Sequence, residues 1–196
     1  MLLWRFRFIG RRPEYEEVRN FVLSKMPRGG IAAEIGVDQG NFSQQILRIA
    51  QPRQLYLIDP WLPDSTGQRT PAPEERYRSV RQRFAKELLS GTAVLMRESS
   101  ASAVSKFGDA SLDWIYIDGD HHYEAVKHDL EQFFPKVKPG GFIVCDDYHY
   151  AGTWNDGVTL AVDEFMLRGI TQKVFKRRSQ FVMRKIKAKA WRGDQG

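Results

Sequence analysis

Residues 31–40 read IAAEIGVDQG, and residues 41–50 continue NFSQQILRIA. The run IAAEIGV (31–37) is short and almost wholly apolar, which predicts a strand buried on both faces. It passes through Asp38-Gln39-Gly40 into a segment that predicts a helix. Gly36 and Gly40 let the backbone turn tightly and approach a ligand with no Cβ in the way. The helix starting near Asn41 offers free N–H groups to a negative group. The spacing is G-x-x-x-G. It is neither the G-x-G-x-x-G of dinucleotide sites nor the phosphate loop G-x-x-x-x-G-K-[ST], so both ligand classes are disfavoured. An ordinary glycine-rich turn is the other reading.

Outward from this stretch the pattern repeats. Upstream, EYEEVRNFVLSKM (14–26) predicts a helix with Val18, Phe21, Val22 and Met26 at helical spacing. Downstream come strand QLYLID (54–59), a helix at 75–90 bearing Tyr77, Val80, Phe84 and Leu88, and strand TAVLM (92–96). Helix SASAVSKF (100–107), strand LDWIYID (112–118) and helix YEAVKHDLEQFF (123–134) follow. Pro139-Gly140-Gly141 predicts a turn into strand FIVCD (142–146), then helix WNDGVTLAVDEFMLR (154–168). QKVFKRR and QFVMRKI close the chain as a hairpin joined near Ser179. The Pro-rich stretch 60–74 is long for a connection and is a candidate functional lid. Apolar strands alternating with amphipathic helices predict an α/β fold, with a parallel sheet covered on both faces. Ligands bind such sheets at the carboxyl ends of the strands.

The 196 residues suit one domain, and 42% hydrophobic with 28% charged residues is the composition of a soluble folded chain. No apolar run reaches the roughly 18–20 residues of a membrane helix. Met1 to Ile9 is broken by Arg5 and Arg7 and does not read as a signal peptide. The single cysteine, Cys145, excludes an internal disulfide and any zinc site needing two thiolates, and fits a reducing, cytoplasmic setting. The net charge of +6 gathers at the two ends, with Arg11 and Arg12 early and a basic tail late, while acidic residues cluster in the middle.

Those acidic residues follow the strands. Asp59 ends the second strand, 25 residues after Glu34, where a carboxylate can accept hydrogen bonds from both hydroxyls of a ribose or simply hold a turn before Pro60. Ser99 and Ser100 follow the third strand and can meet an adenine or cap the next helix, with Ser100 as the N-cap. Strand four runs into Asp118-Gly-Asp120-His121-His122 and strand five into Asp146-Asp147-Tyr148-His149. Carboxylates converging in a pocket repel unless a cation or protons intervene. Asp118 opposite Asp146 and Asp147, with no thiolate, favours Mg²⁺, Mn²⁺ or Ca²⁺. The histidines can ligate or act as a base near neutral pH, whereas His128, inside a helix, reads as a surface residue.

At AEIGVDQG, LYLIDPW, DWIYIDGDHHYEAV, PKVKPGGFIVCDDYH and the closing hairpin, the chain resembles the class I S-adenosylmethionine-dependent methyltransferases. It looks most like small bacterial enzymes related to the metal-dependent, catechol-type O-methyltransferases, and the resemblance runs from about residue 14 to 187. It implies a Rossmann-like three-layer sandwich whose seven-stranded sheet has the order 3-2-1-4-5-7-6, with strand seven antiparallel. It implies that Glu34, Gly36 and Gly40 lie against the methionine part of S-adenosylmethionine, that Asp59 holds the ribose and that Ser99 and Ser100 approach the adenine. It also places Mg²⁺ (or Mn²⁺) on Asp118, Asp146 and Asp147, with Asp118 beside the cofactor as well. Two positions depart from the pattern. Phe42 stands where relatives often carry a serine for the cofactor carboxylate, leaving Ser43 as the nearest hydroxyl. His121 stands where catechol-type enzymes place a catalytic lysine, so the base is an imidazole.

The expected activity is direct methyl transfer to the oxygen of a small hydroxyl compound, with 60–74 and the N-terminal helix walling the pocket and a homodimer as a possible assembly. A metal-independent enzyme using His121 or His149 is one alternative. A nucleic-acid-binding protein or RNA methyltransferase using the tail KVFKRRSQFVMRKIKAKAWR is another, with membrane-surface contact as its weaker form. Alternation along the hairpin favours a solvated face over a nucleic-acid surface, so no nucleic-acid partner is expected.

Overall fold

A computed structural model describes residues 13–63, 71–150 and 155–186. The first twelve residues, residues 64–70 of the expected lid, residues 151–154 and the basic tail from 187 lie outside the described residues.

The chain opens with α1 (Pro13–Ser24) and enters the sheet at β1 (Ile31–Ile35). Helix α2 (Asn41–Gln45) widens into a π-helical turn at Ile46–Ala50 before β2 (Gln54–Ile58). The helix expected at 75–90 is two, α3 (Pro73–Arg83) and α4 (Ala85–Ser90). Phe84 leaves the helical region between them at φ −104°, ψ 24°, and its ring is buried in the core. Then follow β3 (Ala93–Met96), the short α5 (Ser100–Ala103) with a 3₁₀ turn, β4 (Leu112–Ile117) and α6 (Tyr123–Phe133). Strand β5 (Val137–Cys145) starts before the expected turn. Val137 pairs with Leu112 and Phe142 with Trp114, so Pro139-Gly140-Gly141 forms an irregularity inside the strand. Helix α7 (Gly157–Leu167) and the hairpin of β6 (Thr171–Arg177) and β7 (Gln180–Lys185) complete the fold.

The seven strands form one sheet in the order β3-β2-β1-β4-β5-β7-β6. Strands β1 to β5 run parallel, and β7 is antiparallel to both β5 and β6. Order and directions match the expectation. Because side chains alternate across a strand, each face carries its own core. Ala33, Ile35, Ile115, Ile117 and Cys145 pack under α5, α6 and α7 with Val126, Phe133 and Phe165. Ala32, Leu57, Trp114, Tyr116 and Val144 pack under α1, α2 and α3 with Val22, Phe42 and Val80. The sheet is thus the middle of three layers, and burial on both faces explains why β1 and β4 read as apolar runs.

The edge strand β6 exposes Lys173, Lys176 and Arg177 together rather than in alternation. Several of these charges cover rings: Arg177 lies 4.2 Å from the centroid of Phe21 and Lys176 lies 5.3 Å from that of Tyr148. Cationic side chains along an edge also discourage a further strand from pairing there.

What the sheet does for function is set at its carboxyl edge. The amide of Gly36 donates to Ile58 O, that of Asp118 to Ile35 O, that of Asp146 to Ile117 O and that of Asp59 to Met96 O. The first residue after β1, β2, β4 and β5 is therefore tied to the last residue of a neighbouring strand. Gly36, Asp59, Asp118 and Asp146 form one row. Gly36 has φ +91°, and a Cβ built on it falls 2.0 Å from Asp118 O. Gly36→Ala is expected to destabilise the protein by more than about 2 kcal/mol, through backbone strain and forced separation of β1 from β4. Urea unfolding of the variant measures this, and a midpoint equal to wild type would contradict it.

Candidate functional site

Register makes Ile117 the partner of Cys145, so Asp118 and Asp146 stand side by side. Both project on the α1 side of the sheet, and there α1 delivers a cation. Arg19 is almost completely buried, its side chain 2% exposed. Its Nη2 donates to Asp118 Oδ2 at 2.6 Å and lies 3.4 Å from Asp146 Oδ2. The guanidinium carbon sits 3.5 Å from the centroid of the Phe42 ring, which gives the cation an aromatic platform. The residue that departs from the family pattern therefore supports Arg19.

The Asp146 carboxylate is filled. Oδ1 accepts from the Asp147 amide at 2.8 Å and from the Gln180 amide group. Oδ2 accepts from the Tyr15 hydroxyl at 2.5 Å and faces Arg19. Gln180 is oriented in turn by the Tyr116 hydroxyl, which donates to its Oε1 at 2.5 Å. A carboxylate offers about four acceptor positions, and here protein donors occupy them. Burial and the charge of Asp146 push the Tyr15 hydroxyl far above its ordinary pKa, so it remains a donor.

On the other side of Asp118 stands His121. Its Nε2 lies 3.4 Å from Asp118 Oδ1 and 3.5 Å from Asp147 Oδ2, with the ring partly exposed. Burial favours the neutral imidazole, but the hydrogen bond and charge of Asp118, with Asp147 behind it, outweigh burial and raise its pKa. Burial also pushes Asp118 up, yet the Arg19 guanidinium and His121 hold it below the usual carboxylate range. Burial, then the charge of Asp146, pushes Asp147 up to about 7. The backbone fixes this corner: a Cβ on Gly157 would fall 2.4 Å from Tyr123 N and 2.5 Å from His121 O, so α7 abuts the turn that carries the histidine.

The other histidines do different work. His122 is exposed, with Nδ1 2.6 Å from Asp120 Oδ1. His149 is exposed, its ring tilted 50° against that of Tyr148 with centroids 4.2 Å apart, and its amide donates to Thr159. His128 is exposed on α6, as expected.

A second group lies at the end of β1. Glu34 is fully buried, and no hydrogen bond of normal geometry reaches either carboxyl oxygen or the neighbouring buried Ser43 hydroxyl. Burial pushes the Glu34 carboxyl up to about 8, against the opposing pull of Ser43 and Arg19. An orphaned buried carboxyl at the carboxyl end of β1, beside Gly36 and Gly40, fits a ligand that brings an ammonium group. Asp59 does two things at once. Its Oδ2 accepts from the Asp38 amide at 2.8 Å and its Oδ1 from the Trp61 amide at 2.6 Å, so it binds the β1 loop to the β2 loop. One acceptor position remains on each oxygen, the number a ribose diol needs. Arg76 of α3 secures the same corner through Asp38 Oδ1 at 2.8 Å and Leu62 O at 2.6 Å. Ser99, not Ser100, is the N-cap of α5, accepting from the Ser102 amide at 3.3 Å. Ser100 instead lies beside the buried Asp129, whose carboxyl burial pushes up to about 6.

The expected metal set does not fit this arrangement. Asp118 and Asp146 enclose a guanidinium, and the acceptor positions of Asp146 are taken. Among the described residues no three His, Cys, Asp or Glu side chains are arranged to hold a metal ion. Sequence reasoning missed Arg19. Its signal was position: residues 18, 19, 22 and 23 share one buried stripe of α1, and an arginine in an apolar stripe needs a buried anion.

Glu34 also sets a pH dependence. A carboxyl whose pKa is raised in the folded state binds more protons there than when unfolded, so stability falls as pH rises from about 4.5 towards 8. The slope approaches about 1.4 kcal/mol per pH unit for one proton. Glu34→Gln removes it: the variant should exceed wild type in melting temperature at pH 8, with the gap closing towards pH 5. Thermal melts across that range check this, and parallel curves would refute it.

Comparison with known proteins agrees with this architecture. A family model described as a methyltransferase domain matches residues 33–148. An uncharacterized protein of Sinorhizobium fredii, y4gI, is 32% identical over 71 residues, 34% of this chain and 8% of that protein. The chain spans only 8% and 24% of the lengths of the curated relatives it matches. In fold it is similar to an O-methyltransferase from Bacillus cereus solved with SAH, at TM-score 0.59 and 15% identity over 89% of this chain and 81% of that one. It is also similar to the O-methyltransferase NovP, at TM-score 0.60 and 21% identity over 88% of this chain and 79% of that one. With strand order and the family match in agreement, the chain belongs to the methyltransferase domain family.

Proposed function

We propose that this protein methylates a hydroxyl oxygen of a small molecule, with His121 as the base. The observation that carries the reading is the placement of His121. A partly exposed imidazole is held by two carboxylates at the sheet edge where the family binds its methyl donor. The similarity in fold to O-methyltransferases supports oxygen as the acceptor atom.

Glu34 is positioned to pair with the ammonium of the cofactor, Asp59 to accept from the ribose hydroxyls, and Ser43 to meet the methionine end. Ser99 and Ser100 flank the adenine side. Bound S-adenosylmethionine supplies a methyl group on a positive sulfur, which leaves as a neutral thioether when the methyl–sulfur bond breaks. His121 takes the proton from the acceptor hydroxyl as the oxygen–methyl bond forms. Its Nε2 faces Asp118 and Asp147, at 3.4 and 3.5 Å. The two carboxylates then stabilise the imidazolium. The protein adds alignment, because an oxygen, a methyl carbon and a sulfur in line react far faster than the same groups free in solution. The metal assistance expected from the resemblance has no part in this reading, since Arg19 stands where the ion would.

Three measurements test it. S-adenosylhomocysteine should bind in a calorimetric titration, and Glu34→Gln should weaken it at least about tenfold by removing the partner of a buried ammonium. A chain that binds neither S-adenosylhomocysteine nor S-adenosylmethionine would overturn the reading. With an acceptor found by screening hydroxyl compounds for S-adenosylhomocysteine release, His121→Gln should lower turnover about 10²–10⁴-fold and leave cofactor affinity unchanged. Loss of both together would make His121 structural instead. Turnover should rise with pH through an ionisation above the ordinary histidine value of about 6.5, because the base must lose its proton first. A rate that falls over that range would exclude His121 as the base.

A further inference from the structure

The geometry points to Arg19 as the permanent cation of this site: its guanidinium takes the place of a divalent ion between Asp118 and Asp146, and the protein holds no such ion there. The inference rests on the methyl-transfer reading only for what the site does, and on contacts alone for what it contains.

Four features argue for it. The guanidinium bridges the two carboxylates that would face an ion, at 2.6 and 3.4 Å. It is buried to 2% exposure, and an ion such as Mg²⁺, which keeps several waters, would need that space. Asp146 has its acceptor positions filled by Tyr15, Gln180 and the Asp147 amide, with Arg19 closing the set. The Phe42 ring centroid lies 3.5 Å from the guanidinium carbon, a support suited to a delocalised charge rather than a hydrated point charge. Arg19 and Tyr15 also lie one turn apart on α1, so a single helix brings both the positive charge and the hydroxyl.

The consequence for the reaction is a division of labour. In a metal-assisted enzyme the ion lowers the pKa of the acceptor hydroxyl and orients it. A guanidinium committed to two buried carboxylates binds no acceptor oxygen, so proton removal falls to His121. Arg19 is a positioning residue: it holds Asp118, and Asp118 holds His121.

The test uses the 196-residue chain with S-adenosylhomocysteine, titrated with Mn²⁺ and followed by electron paramagnetic resonance of the free ion. The wild type should leave the Mn²⁺ signal at full intensity. Its affinity for S-adenosylhomocysteine should agree within about twofold in Mn²⁺ and in EDTA. Arg19→Gln, which removes the charge, should gain one Mn²⁺ per chain, and Arg19→Gln/Asp118→Asn should lose it again. Arg19→Lys, which restores the charge, should refuse the ion as wild type does. One Mn²⁺ bound per wild-type chain and lost in Asp118→Asn would overturn the inference, as would a folded Arg19→Gln chain that takes up none. Should Arg19→Gln fail to fold, the wild-type titration and the Lys variant still decide. Absence of S-adenosylhomocysteine binding with an unchanged Mn²⁺ signal would sink the cofactor reading and leave the cation assignment standing.

Discussion

The site depends on one buried charge balance. Two carboxylates side by side at the end of a parallel sheet repel, and bringing each out of water costs several kcal/mol. Arg19 resolves this by standing between them, with Phe42 beneath it and Tyr15 donating to the farther carboxylate. Breaking such a group by removing one member usually costs about 3–5 kcal/mol, because the others remain buried and unpaired. The same contacts seat α1 on the sheet, orient Asp118 toward His121 and complete the coordination of Asp146. Fold, electrostatics and the placement of His121 thus share one guanidinium.

Around this centre the sheet acts as a ruler. The amides that follow β1, β2, β4 and β5 are bonded to neighbouring strands, so residues distant in sequence fall into one row. Loops then differentiate the positions. Asp59 ties two loops together while keeping acceptor capacity, and Glu34 is left without a donor. An unpaired buried carboxyl weakens the folded state, and a ligand ammonium removes that penalty on binding.

Much of this was legible in the sequence, for physical reasons. Strands buried on both faces announce themselves as apolar runs, so IAAEI, QLYLI and LDWIYI led directly to the parallel sheet, and the family resemblance supplied its order. The residues after those strands were legible too, because Glu34, Asp59, Asp118 and Asp146 have no apolar reason to sit there. What stayed hidden was how their charges would be balanced. Sequence shows acidic residues converging but not which cation answers them, and an ion was the economical reading. Arg19 drew no reading of its own, since its burial depends on a sheet edge 99 residues away. Phe42 and His121 stood out as departures, yet the role of Phe42 appears only when the guanidinium is laid on it. The break at Phe84 and the strand running through Pro139-Gly140-Gly141 were decided by packing rather than local propensity.

The long span of the Arg19 cluster bears on the order in which the chain folds. Arg19 meets Asp118 across 99 residues, and Tyr15 meets Asp146 across 131. Closing loops of that length costs more chain entropy than pairing neighbouring βα units, so these contacts lean on the local units for support. Helix α1 therefore leaves the ribosome before its partners exist and must wait for β4 and β5 before its arginine can be buried. An arginine is well suited to the wait. It stays soluble while unpaired, and it seals the two carboxylates only when the sheet edge that carries them is complete.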